Sequence, residues 1–181
     1  VLAFDMSSAN LQLAGQKPVK LKKVSIKAKG SKKKVQLDEL LVEHQQGRLL
    51  AKGNVQLSGS FEHVLSVDAN TELVEQTPLK LTLRSSGNIN SVTTQIELIE
   101  TTLSGNTQSV DPQNKPVKLV IDLTAQPSKA TLPVKIRLDW SYLAWPLADP
   151  ELISESGVIS INGDLKALKM TVQTMLAGQN V

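Results

Sequence analysis

Hydrophobic and polar residues alternate one for one along most of this chain. Val117, Leu119, Ile121, Leu123 and Ala125 are separated by Lys118, Val120, Asp122 and Thr124. Period two with one apolar side is the mark of a half-buried β-strand. Leu79, Leu81 and Leu83 form such a face, as do Val134, Ile136, Leu138 and Trp140. The same alternation predicts strands through Val24, Ile26 and Ala28, through Leu65 to Leu73, and through Val92 to Leu98. It returns at Ile159 and Ile161 and at Leu168, Met170 and Val172. Further strands are expected over 35–43, 47–57 and 103–109. The total is about twelve, and a helical period is missing except for a helical turn that fits 141–144.

Proline and glycine punctuate this pattern. Pro18, Pro78, Pro116 and Pro133 each precede an apolar residue, a lysine and a second apolar residue. A residue with fixed φ and no N–H suits the first position of a strand. Gly59, Gly87 and Gly163 each open a unit of small polar residue, apolar residue, two spacers and apolar residue. Such self-similarity predicts repeated strand-and-turn units. Residues 157–175 read as strand, glycine turn, strand. Between Leu21 and Val24 the alternation slips by one at Lys22 and Lys23, as a β-bulge requires. Residues 30–34 form a lysine-rich turn, and looser connections are expected over 108–115, 126–132 and 149–156.

Strands joined by short turns pair antiparallel, giving a sheet with one wet side and one greasy side. No helix is available to cover the greasy side. A sandwich, a closed barrel and an open groove filled by something else all satisfy the pattern. Composition bears on the choice. Aromatics make up 3% of the residues against 40% hydrophobic, so the apolar positions are almost all small and medium aliphatics. An acyl chain would tolerate such a lining. Each buried CH₂ gains about 0.8 kcal/mol, or roughly 10 kcal/mol at most for a fatty chain of about 16 carbons. Patterning alone leaves a sealed aliphatic core and an open groove both standing.

Charge and candidate chemistry add less. The formal net charge is +3, and nine of the seventeen lysines fall between Lys17 and Lys34. A solvated strand face and turn accounts for this cluster, and lysines there discourage edge-to-edge pairing. Contact with anionic lipid headgroups is the second reading. Nucleic acid is disfavoured by the lack of interleaved aromatics. His44 and His63 are expected as ordinary surface histidines, without metal-ligand spacing. No nucleophile elbow or phosphate-binding loop occurs, and no catalytic residue, metal or cofactor is expected. There is no cysteine, so disulfides and thiol chemistry are excluded. No apolar run of about 18 residues is present. Residues 1–10 read as neither a signal peptide nor an ordinary start, so the chain is expected to be excised from a longer one. Trp140, Tyr142 and Trp145 hold three of the five aromatics. They are expected where a strand ends and the sheet bends, or at a groove mouth or partner contact. Met170 and Met175 read as flexible gap-fillers.

The element Trp140-x-x-Leu143-x-Trp145-Pro146-Leu147, followed by Gly157 to Leu165, resembles the TamB family of the AsmA-like proteins. The unit Gly47 to Val55 resembles the same strand and turn, and the degenerate repeats cover nearly the whole chain. The resemblance implies an all-β fold: an elongated, curved antiparallel sheet forming a U-shaped groove, or β-taco, with an aliphatic interior. Residues 1–181 would be a single segment of a larger periplasm-spanning protein anchored in the inner membrane. The implied function is shielding of phospholipid acyl chains during transport between the inner and outer membranes, with a part in outer-membrane protein assembly. The alternative is a chaperone-like or structural scaffold acting by β-augmentation. The implied partners are phospholipid acyl chains and, through other parts of the full protein, the outer-membrane barrel TamA. The lining would comprise Leu79, Leu81, Leu83, Val117, Leu119, Ile121, Leu123, Val134, Ile136, Leu138, Ile159, Ile161, Leu168, Met170 and Val172.

Overall fold

The structure is a computed structural model that describes residues 2–11, 19–74, 77–100, 117–145, 152–176 and 179–180. Its strands are β1 (Leu2–Leu11), β2 (Val19–Gly30), β3 (Lys34–His44), β4 (Gly47–Gln56), β5 (His63–Val74) and β6 (Thr77–Gly87). They continue as β7 (Val92–Glu100), β8 (Lys118–Ala125), β9 (Val134–Trp145), β10 (Leu152–Asp164), β11 (Ala167–Leu176) and the two-residue β12 (Gln179–Asn180). All lie in one sheet in chain order, each antiparallel to the next. The sheet is curved and unclosed, a β-taco-like architecture.

Among the described residues this sheet has no second layer. Among the described hydrophobic residues only Leu41 and Ala51 are buried, and register places them on opposite faces. The chain exposes 12950 Å², whereas a compact monomer of its 19.6 kDa would expose about 8,600 Å². The apolar face is therefore open.

The opposite face is held by exposed ion pairs. Arg84 meets Asp68 at 2.8 Å, Lys118 meets Glu97 at 2.9 Å, and Arg137 meets Asp139 at a similar separation. In β3 a bulge lies between Leu37 and Leu40, so Asp38 and Glu39 both serve this face. Asp38 pairs with Lys29 at 3.0 Å and Glu39 with Lys27 at 3.1 Å. Those lysines hold both carboxyls below the usual carboxylate range, and Glu39 holds Lys27 above the usual amine range. The bulge expected at Lys22 and Lys23 is present as a register shift between Leu21 and Lys23.

One end of the strands carries turns laced by backbone hydrogen bonds. Leu57 N–H donates to Lys33 C=O at 2.8 Å, and Ile89 N–H to Ser60 C=O at 3.0 Å. Ser128 N–H donates to Ile89 C=O at 2.6 Å, and Leu165 N–H to Thr131 C=O at 2.9 Å. Each turn from β2–β3 to β10–β11 is thus tied to the next along this rim.

Several expectations need correction. Residues 141–144 are strand, and Tyr142 takes a positive φ of 54° instead of a helical turn. β9 ends at Trp145, as expected of the aromatic cluster, but Trp140 lies inside the strand. β10 begins at Leu152, inside the loop expected over 149–156. β1 was not expected as a strand, although Leu2, Phe4 and Met6 alternate. The strand expected over 103–109 and the loop over 108–115 lie outside the described residues.

Candidate functional site

Register sorts the apolar face into rows running across the strands. The central row is aliphatic or aromatic on all eleven long strands. Leu83 pairs with Ile96, which pairs with Ile121, then Leu138, Ile159 and Val172. In the other direction Leu83 pairs with Val67, then Ala51, Leu40, Ile26 and Phe4. Ten spacings of about 4.8 Å give this row a run of roughly 48 Å.

The expected lining residues all fall on this face. Leu81, Leu98 and Leu119 stand beside the central row, and Leu123, Ile136, Ile161 and Met170 on its other side. Leu79 lies at one strand end of the face, Val134 and Leu168 at the other, with Val117 just before β8. Most are half-buried, but on β11 exposure rises to 61% at Leu168, 64% at Met170 and 48% at Val172. That strand is flanked on its far side only by the short β12.

Trp140 is set into the row of Leu119, directly opposite Gly157. A Cβ at Gly157 would run into the indole ring, so the glycine is what lets the ring lie across β10. The indole N–H donates to Ser154 Oγ at 2.8 Å. Ser154 is buried and also stands 2.9 Å from Thr174 Oγ1. The tryptophan's single donor is satisfied, and its apolar ring remains part of the face. The Trp145 side chain lies outside the described residues.

A ladder of polar groups interrupts the face beside the central row. His63 Nε2 is 3.2 Å from Ser85 Oγ, which is 2.9 Å from Thr94 Oγ1. His63 is in phase with Leu65 and Val67, so it belongs to this face and is not a free surface histidine. Ser85 and Thr94 share the phase of Leu83 and Ile96, which is the signal by which this ladder is readable. His44 also lies in the phase of the apolar face, at the end of β3. Among the described residues no cluster of three metal-ligating side chains occurs.

A one-sheet, open-sided apolar surface with a charged back defines a class: the repeating β-groove proteins. Residues 3–181 match the family described as "TamB, N-terminal domain", and the chain belongs to that family. Its members are translocation and assembly components of the envelope. No curated protein and no solved structure matches the chain.

Proposed function

We propose that this chain is a groove segment that shields phospholipid acyl chains on their way between the inner and outer membranes, in a protein that also assists outer-membrane protein assembly. The segment works in the periplasm, in a longer protein anchored in the inner membrane and partnered elsewhere by TamA. The observation that carries this reading is the unbroken central row from Phe4 to Val172 on a face that no described residue covers. Side chains without polar atoms offer no fixed site to a methylene chain, so a tail moves along the row with little variation in free energy. The edge strand β1, whose Leu2, Phe4 and Met6 are exposed, favours a second reading. There the scaffold receives outer-membrane β-strands by edge pairing without lipid transport.

The test is photo-crosslinking in cells with the full-length protein. A crosslinker at Leu119 or Ile121 should capture phospholipid, and one at Lys118 or Asp122 should not. Capture only at the outward pair would sink the groove assignment. Capture of unfolded barrel proteins instead of lipid would replace it with the scaffold reading.

A further inference from the structure

The strand ends opposite the laced turns contain a notch. The β3–β4 hairpin reverses at Gln45 and Gln46, with His44 paired to Gly47. On one side β2 runs on past the level of His44, pairing as far as Leu11 with Val19. On the other side β5 and β6 run on past the level of Gly47 to the pair Val74 and Thr77. The last pair of the hairpin, His44 and Gly47, thus lies two or three residues short of the last pairs of its neighbours, and only the turn residues Gln45 and Gln46 reach further.

A surface depression occupies this saddle. Leu79 and Thr71 of the apolar face line its inner side, and Lys22, His44, Glu43 and Arg48 surround its lip. Lys22 is the extra residue of the β2 bulge, is exposed, and makes no ion pair with a described residue. Arg48 Nε stands 3.6 Å from Glu43, so these two charges offset each other and Lys22 leaves the lip cationic. His44 Nδ1 accepts the Gln46 backbone N–H at 3.3 Å. In the neutral ring the proton therefore sits on Nε2, which is left as a donor.

We propose that the notch is a saddle for the phosphate of a phospholipid headgroup. Lys22 and His44 Nε2–H face the phosphate oxygens, while the acyl chains lie inward past Leu79 along Leu49 and Leu81. This rests on the groove reading given above and adds a fixed point to an otherwise featureless track. A headgroup cannot follow its tails onto an aliphatic face without losing its water, and the short hairpin gives it a way out over the rim.

The experiment uses the full-length protein with a photo-crosslinker at Gln46, in cells whose phospholipids carry labelled phosphate. Lipid is captured at Gln46. Lys22→Glu lowers that capture roughly fivefold or more, as removal of a cation from an anionic lipid contact does. Lys22→Arg preserves it, His44→Phe weakens it, and capture at Leu119 in the same variants is unchanged. Capture at Gln46 that ignores Lys22 overturns the saddle, as does equal capture of diacylglycerol or displacement by inorganic phosphate. Loss at Leu119 together with Gln46 in Lys22→Glu also overturns it, because the defect would not be local. Absence of capture at Leu119 in the unaltered protein sinks the groove reading itself.

Discussion

Val120 and Ile121 are neighbours in β8, both β-branched and both half-buried, yet they belong to different surfaces. Ile121 lies between Ile96 and Leu138, and Val120 lies between Glu97 and Asp139. The difference teaches that a residue's own hydrophobicity does not assign it to the track; its cross-strand partners do. On the charged back an aliphatic residue is an isolated patch among ion pairs. On the other face it is one step of a row that crosses the whole sheet.

The largest expected effect comes from placing charge on each of these two residues. Ile121→Asp puts a carboxylate in the middle of the row, where a passing acyl chain must strip its water. A cost of a few kcal/mol slows passage roughly tenfold to a hundredfold. Val120→Lys sits between two acids on the wet face and leaves transport unaltered. Phospholipid transfer between the membranes by the full-length variants is the measurement. Equal loss from both, with both proteins folded, would erase the distinction between the faces.

The next effect tests how the row accommodates its one large ring. Gly157→Val pushes the Trp140 indole off β10 and breaks its bond to Ser154. Overpacking of this kind costs about 1–3 kcal/mol. Denaturant unfolding should show the loss, and tryptophan emission should shift to the red as the ring meets water. An unchanged midpoint and spectrum would mean that the ring does not depend on the glycine. Below this lies the polar ladder. Thr94→Val removes one hydroxyl from the His63, Ser85 and Thr94 series at nearly constant volume. A single hydrogen bond is worth about 1 kcal/mol, and its half-exposed setting reduces that further. A larger loss in the same unfolding measurement would make the ladder a structural clamp.

The alternation that separates Val120 from Ile121 was legible in the sequence because most strand positions keep period two outside a few bulges, so the strands and the phase of the candidate lining could be read from it, whereas the open groove was implied only by the family resemblance. The same phase places His63 beside Leu65, and Leu2 with Phe4 and Met6. The aromatic cluster does reach the end of β9 at Trp145, just before Pro146, but Trp140 lies inside the strand, and the space for its ring is made by Gly157 on β10, which the cluster itself does not reveal. The laced turns were beyond reach. Ser60, Ile89 and Ser128 are brought together by strand lengths that must all be known before any contact is. The notch is of the same kind: it depends on where three successive hairpins stop, which no single stretch of sequence contains.

The smallest effect concerns the charged back alone. Lys29 and Lys27 hold Asp38 and Glu39 below the usual carboxylate range through hydrogen bonds and charge. A carboxyl with a depressed folded-state pKa contributes stability that is present above its ordinary value and lost as pH falls through the depressed one. Lys27, raised by Glu39, works in the other direction, losing its contribution only in strong alkali. Amide protection in β2 and β3, corrected for the base-catalysed intrinsic exchange rate, should therefore be level through neutral pH and fall only in acid. These pairs are exposed and screened by salt, so the change should be slight and should shrink further at high ionic strength. Glu39→Gln should flatten the acid limb in β2 and β3 while leaving lipid capture at Ile121 untouched. An effect on capture would show that the two faces, whose side chains point away from each other on every strand, are nevertheless coupled through the backbone between them.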